Sequence, residues 1–118
     1  MEPFRHETMM MEDYDIVNDI IDSMADADDE LDGAKKYIME AFRFKDQHPE
    51  MASKLVTMSA EEKKHAENIA EGIDAMLDKA KRDGNPCYDT LHKVWVHTKA
   101  RQDSYRSWIE HMHEKYKK

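Results

Sequence analysis

Glu62 and His65 stand three residues apart in the stretch M-S-A-E-E-K-K-H-A-E-N-I (58–69). That stretch lies in a segment whose apolar residues recur at Leu55, Met58, Ile69, Ile73, Met76 and Ala80, in steps of three and four or their sums. Positions 62 and 65 complete the series, so a helix places the carboxylate and the imidazole on the same stripe as these apolar residues. Ionisable groups turned into a helix–helix contact are costly unless something compensates them. A first-row metal ion does so, because it accepts an anionic carboxylate and a neutral imidazole together.

The elements that must position this pair can be followed along the chain. Residues 1–11 (MEPFRHETMMM) carry no continuing helical period and read as a flexible arm, leaving 12–118 as a single helical domain. A first helix is expected over 12–46, with a seam at Val17, Ile20, Met24, Ala27, Leu31, Ala34, Ile38 and Ala41. Ala27, Gly33 and Ala34 are small enough to let a partner helix approach closely. Glu30 points toward the same contact, and Tyr37 lies two turns further along that face. D-Q-H-P at 46–49 ends the helix, because the residue before proline disfavours helical geometry. A second helix is expected from Pro49 or Glu50 to Arg82, closed by D-G-N-P at 83–86. The third, 87–116, has its seam at Tyr88, Leu91, Trp95, Thr98, Gln102, Tyr105, Ile109, Met112 and Tyr116. The expected fold is therefore all-α, three long antiparallel helices joined by tight turns.

Height along the helices decides which ligands can meet. Counting from the first turn, Glu30 lies roughly 27 Å up one helix, and Glu62 and His65 roughly 21–26 Å up the next. These three residues should share a level. The same count puts Gln102 and Tyr105 of the third helix at that height, as neighbouring polar groups. A second Glu-x-x-His, Glu110 and His113, falls about one to two turns beyond it. One chain then supplies two carboxylates and one histidine, half of the set that holds a pair of metal ions in helical bundles. A second copy on a twofold axis would supply the rest, so the expected partner is the chain itself, as a homodimer or higher oligomer.

Composition narrows the function classes. With 118 residues the chain has length for one domain, and its net charge of −8 argues against nucleic acid or an anionic membrane surface as a partner. No apolar run has the length of a membrane span, and no signal-peptide core is evident. The single Cys87 cannot form an internal disulfide, which makes a cytoplasmic location the expectation. D-D-E-L-D-G at 28–33 imitates the start of a calcium-binding loop, but Lys35 and Met39 occupy its eighth and twelfth places and exclude that reading. The ten methionines read as core filler, and His92, His97, His111 and His113 as exposed side chains.

Glu30, Tyr37 and Glu62-x-x-His65-Ala66 together resemble the first half of the ferritin-like superfamily's di-iron motif. A-E-E-K-K-H-A (60–66) looks like the second helix of rubrerythrins and encapsulated ferritins, and D-D-E-L-D (28–32) matches the acidic cluster around the first-helix glutamate. The resemblance covers roughly residues 25–78. It implies a ferritin-like di-iron bundle completed by homodimerisation and a ferroxidase, oxidising Fe(II) with dioxygen or peroxide for iron storage or detoxification. It also implies roles: Glu30 and His65 as terminal metal ligands, Glu62 as the bridging carboxylate, and Tyr37 as a supporting group of the catalytic set. Iron is the implied cofactor, two ions per dimer, and manganese or zinc suits the same ligands. An encapsulin-type shell is a further implied partner, although the tail M-H-E-K-Y-K-K does not look like a cage-targeting peptide and the third helix is longer than the family's. The competing expectation is a non-enzymatic helical oligomerisation or adaptor module that binds no metal.

Overall fold

The computed structural model describes residues 11–118 as three α-helices: α1 (Met11–Phe44), α2 (Pro49–Arg82) and α3 (Tyr88–Lys117). The arm expected over 1–11 falls outside the described residues but for Met11, which opens α1. The bundle is a rod of 69 × 21 × 20 Å, and among the described residues no helix is long and apolar enough to cross a membrane.

The ends of the helices follow from local chemistry. Pro49 opens α2 with a fixed φ and no amide to leave unpaired. Gly84, at φ +70°, closes it in the left-handed conformation that side chains disfavour. The Asn85 amide then donates to the Ala80 carbonyl at 2.9 Å and the Gly84 amide to Lys81 at 3.1 Å, capping the last turn. The buried Asn85 side chain accepts from the Cys87 amide at 2.8 Å and donates to the Asp13 carbonyl at 3.3 Å, fixing the start of α3 against α1. Gly84→Ala should cost about 1 kcal/mol by placing a Cβ in this conformation, measurable by urea denaturation.

Helix α1 buries Ile20, Met24, Ala27, Leu31, Ala34, Ile38 and Ala41, the expected seam save for a half-buried Val17. It packs chiefly on α2, through residues seven apart. Ile20, Ala27, Ala34 and Ala41 of α1 run antiparallel to Ile73, Ala66, Ser59 and Ala52 of α2, all 4% exposed or less. Small side chains at this repeat let the backbones approach. The Ser59 hydroxyl reaches across to donate to the Ala34 carbonyl at 2.6 Å, which fixes the register.

The seam of α2 is the part that differs from expectation. Its buried residues are Ala52, Leu55, Ser59, Ala66, Ile73, Leu77 and Ala80. Met58 is 40% exposed, and Glu62, Ile69 and Met76 are half-buried along one flank. The contact selects for small residues, so the larger apolar ones are turned aside, and Glu62 and His65 go with them.

Helix α3 lies on the opposite flank of the α1/α2 pair. It buries Leu91, Trp95, Gln102 and Ile109 and half-buries the rest of its expected seam. Much of its attachment is polar. The Trp95 indole donates to Asp74 at 2.7 Å, Arg101 grips Asp28 with two bonds of 3.0 and 2.9 Å, and Lys63 pairs with Glu110 at 3.1 Å.

Candidate metal centre

Two helices bring Glu30, Glu62 and His65 together at mid-length. Each offers one ligand atom, and these atoms lie within 4.8 Å of one another. Two ligands on opposite sides of a single ion would stand about 4.2 Å apart, so a small rotamer adjustment closes the set. The site lies at the edge of the α1/α2 contact and not in its dry middle: Glu30 and Glu62 are half-buried and the His65 side chain is 55% exposed. The expectation that both residues of the pair occupy the seam is thus corrected, because the core stripe of α2 passes through Ser59 and Ala66 beside them.

The electrostatics of the three groups are unbalanced. Glu30 Oε2 is buried with no hydrogen-bond partner, the only side-chain polar atom in that condition among the described residues. His65 Nδ1 stands 3.5 Å from it, beyond good hydrogen-bond distance. The Glu62 carboxyl is held above the usual carboxylate range, first by a hydrogen bond to Glu30, then by burial and by the Glu30 charge. Two carboxylates this close disfavour each other's charge, and a cation between them relieves the repulsion. An orphaned oxygen, a second carboxyl held against it and an adjacent imidazole make a donor set that fits a divalent ion.

Gly33 of α1 lies beside the Glu62 carboxylate. A Cβ there would lie 3.4 Å from Glu62 Oε2 and 3.6 Å from its Cδ. Nothing in the spacing of the carboxylates pointed to this glycine; its position three residues after Glu30 on a helix otherwise free of glycine was the available signal.

The remaining expected site groups lie elsewhere. Tyr37 is half-buried against the cluster of Ile38, Ala41, Ala52 and Leu55, and no hydrogen bond joins it to the three ligands. Gln102 donates to the Met24 carbonyl at 3.2 Å and to Asp28 at 3.0 Å, and the Tyr105 hydroxyl donates to Asp32 at 2.9 Å. Burial, with Asp32 beside it, pushes the Tyr105 hydroxyl up to about 12. Both residues serve the α1/α3 contact, on the side of α1 turned away from Glu30. His92, His97 and His111 are exposed as expected.

His113 is not exposed. It is half-buried, with Nε2 2.9 Å from Ser59 Oγ. The serine proton is committed to Ala34, so Nε2 is the donor of that bond. Burial depresses the His113 pKa, with Lys63 and Lys117 adding to the effect against Glu110 and Glu114. A histidine with a lowered folded pKa binds fewer protons folded than unfolded. Its stability contribution is complete above about pH 6.5 and erodes as the pH falls from there toward the folded value. Melting temperatures of the parent and His113→Gln between pH 7.5 and 5 should converge or cross as acid is added; parallel curves would contradict this account of His113.

Comparison of the chain with protein-family models, with curated proteins and with solved structures returns no match.

Proposed function

We propose that this chain is half of a di-iron ferroxidase, its Glu30, Glu62 and His65 holding iron jointly with the same residues of a second copy. The observation that carries the reading is the orphaned Glu30 oxygen beside the Glu62 carboxyl and an imidazole, three donors from two helices converging on one point. Three protein ligands leave a half-open site on a face that α3 does not cover, which suits completion by a twofold mate. Bound iron supplies the one-electron chemistry, with Fe(II) as substrate and dioxygen or peroxide as the electron acceptor. The chain's part is to fix the donors. Glu62 is held against Glu30, an arrangement that a cation relieves, Gly33 lies beside its carboxylate, and the buried Ser59–Ala34 bond holds the two helices in register beneath it. Manganese and zinc suit the same donors, and the metal present is decided by supply and geometry. A cytoplasmic role in iron storage or detoxification fits the single cysteine, and an encapsulin-type shell is the alternative to a free-standing oligomer.

The exposed apolar residues Met51, Met58, Ile21, Val94 and Trp108 also support a second reading, a helical oligomerisation or adaptor module without metal. One assay separates the two. Fe(II) added anaerobically should bind at about one ion per chain and then consume dioxygen on exposure to air. A module would leave both the iron and the oxygen as they are in buffer.

A further inference from the structure

An aspartate or asparagine followed by glycine is a place where a peptide chain can rearrange without an enzyme. The amide nitrogen of the second residue attacks the side-chain carbonyl carbon of the first, and glycine opposes this with the least steric hindrance. The chain has two Asp-Gly pairs, Asp32–Gly33 and Asp83–Gly84, and three asparagines, Asn18, Asn68 and Asn85.

Their places in the fold set them apart. Asn85 precedes Pro86, whose nitrogen carries no hydrogen and cannot attack. Asn18 and Asn68 lie inside α1 and α2, each before a bulkier residue. Asp32–Gly33 is at the middle of α1, where the helix ladder holds the Gly33 amide. The Asp32 carboxylate accepts the Tyr105 hydroxyl at 2.9 Å, and Glu62 Oε2 covers Gly33, 3.4 Å from where a Cβ would stand.

Asp83–Gly84 has none of this cover. It lies just past the end of α2, and Asp83 is exposed. The Gly84 amide is held by one bond of 3.1 Å to the Lys81 carbonyl, at a helix end, where such bonds open most readily. Nothing lies within 4 Å of the Cβ position of Gly84. What restrains the pair is a single side chain: Lys79 Nζ donates to Asp83 Oδ2 at 2.7 Å.

We infer that Asp83 is a site of spontaneous backbone modification, closing with Gly84 to a succinimide that reopens as isoaspartate, and that Lys79 guards it. In the first step the Gly84 nitrogen bonds to Asp83 Cγ. The carboxyl hydroxyl leaves with the amide proton as water. Water then adds back to one of the two imide carbonyls and opens a C–N bond; opening at Cγ restores aspartate, and opening at the α-carbonyl leaves isoaspartate. Because a hydroxyl must leave, only the uncharged carboxyl reacts. Lys79 holds the Asp83 carboxyl below its usual range, by its hydrogen bond first and its charge second, so the reactive form is scarce at neutral pH. Isoaspartate carries the backbone through Cβ and lengthens the link between α2 and α3. The Asn85 amide that caps Ala80, and the Asn85 side chain that ties Cys87 to Asp13, follow directly after it. Ageing at this residue therefore loosens the start of α3 from α1.

Storage of the full chain in heavy-oxygen water, followed by peptide mass spectrometry, tests both halves. Each passage through the succinimide leaves a heavy oxygen at the residue, and isoaspartate resists an Asp-specific protease. In the folded protein Asp83 should be labelled at least about tenfold faster than Asp32, whereas in urea the two should react at similar rates. Lys79→Met should raise the Asp83 rate at least about twofold at neutral pH, and the difference should shrink as the pH falls toward 3.8. Lys79→Arg should keep the parent rate. Lys79 is exposed, so neither variant should disturb the fold, which circular dichroism checks. Equal labelling of Asp32 and Asp83 in the folded protein, or none at Asp83, overturns the site. A parent rate in Lys79→Met overturns the guard.

Discussion

Glu62→Gln should lower Fe(II)-dependent oxygen consumption to the rate of iron in buffer while making the metal-free protein more stable. The two effects have one origin. Glu62 is a carboxyl held above its usual range against Glu30, whose Oε2 is buried without a partner. An amide of the same shape cannot serve as an anionic ligand, but its N–H can donate to Glu30. The gain should be on the order of 1 kcal/mol, the usual cost of a buried polar atom left unpaired. Its pH dependence has a fixed sign. A carboxyl whose folded pKa is raised binds more protons folded than unfolded, so the parent gains stability as the pH falls toward 4.5 and loses it as the pH rises through the folded value. The advantage of Glu62→Gln should therefore be small near pH 4.5 and full at neutrality. Urea titrations at several pH values measure it. A variant that oxidises iron at the parent rate removes Glu62 from the site, and a variant less stable than the parent at pH 7 removes the electrostatic argument.

Ala34→Leu should destabilise the fold by about 3 kcal/mol, the upper part of the range for overpacked cores. Ala34 is fully buried in the α1/α2 contact, and its carbonyl accepts the Ser59 hydroxyl at 2.6 Å. Added carbons must push the helices apart, stretching that bond and weakening the His113 contact that depends on Ser59. Lys36→Leu, on an exposed position of the same helix, should change stability by no more than roughly 0.5 kcal/mol. Comparable denaturation midpoints for the two variants would show that α1 and α2 are not locked by their small residues. Separation of the helices should also loosen the metal centre, because Glu30 and Glu62 come from opposite sides of this contact.

The residues that read correctly from sequence and those that did not differ in a physical way. The seams of α1 and α3 are carried by residues whose size and polarity agree with their burial, so periodicity alone located Leu31, Ile38, Leu91, Trp95 and Ile109. On α2 the two criteria conflict. The contact with α1 takes Ala52, Ser59 and Ala66, and a reading weighted toward large apolar residues follows Met58, Ile69 and Met76 instead. Counting rise per residue correctly brought Glu30 to the level of Glu62 and His65. It also put Gln102 and Tyr105 at that level, yet height carries no information about direction around the axis, and both residues face Asp28 and Asp32. The His113–Ser59 bond joins two helices across 54 positions in sequence, and no local pattern announces it.

Anomalous scattering at the iron edge, from crystals grown with Fe(II), bears most directly on the assignment. The account predicts iron at Glu30, Glu62 and His65, with the same three residues of a second copy facing it across a twofold axis. Iron found only on the acidic surface, or triads that open onto solvent with no metal and no mate, would contradict it.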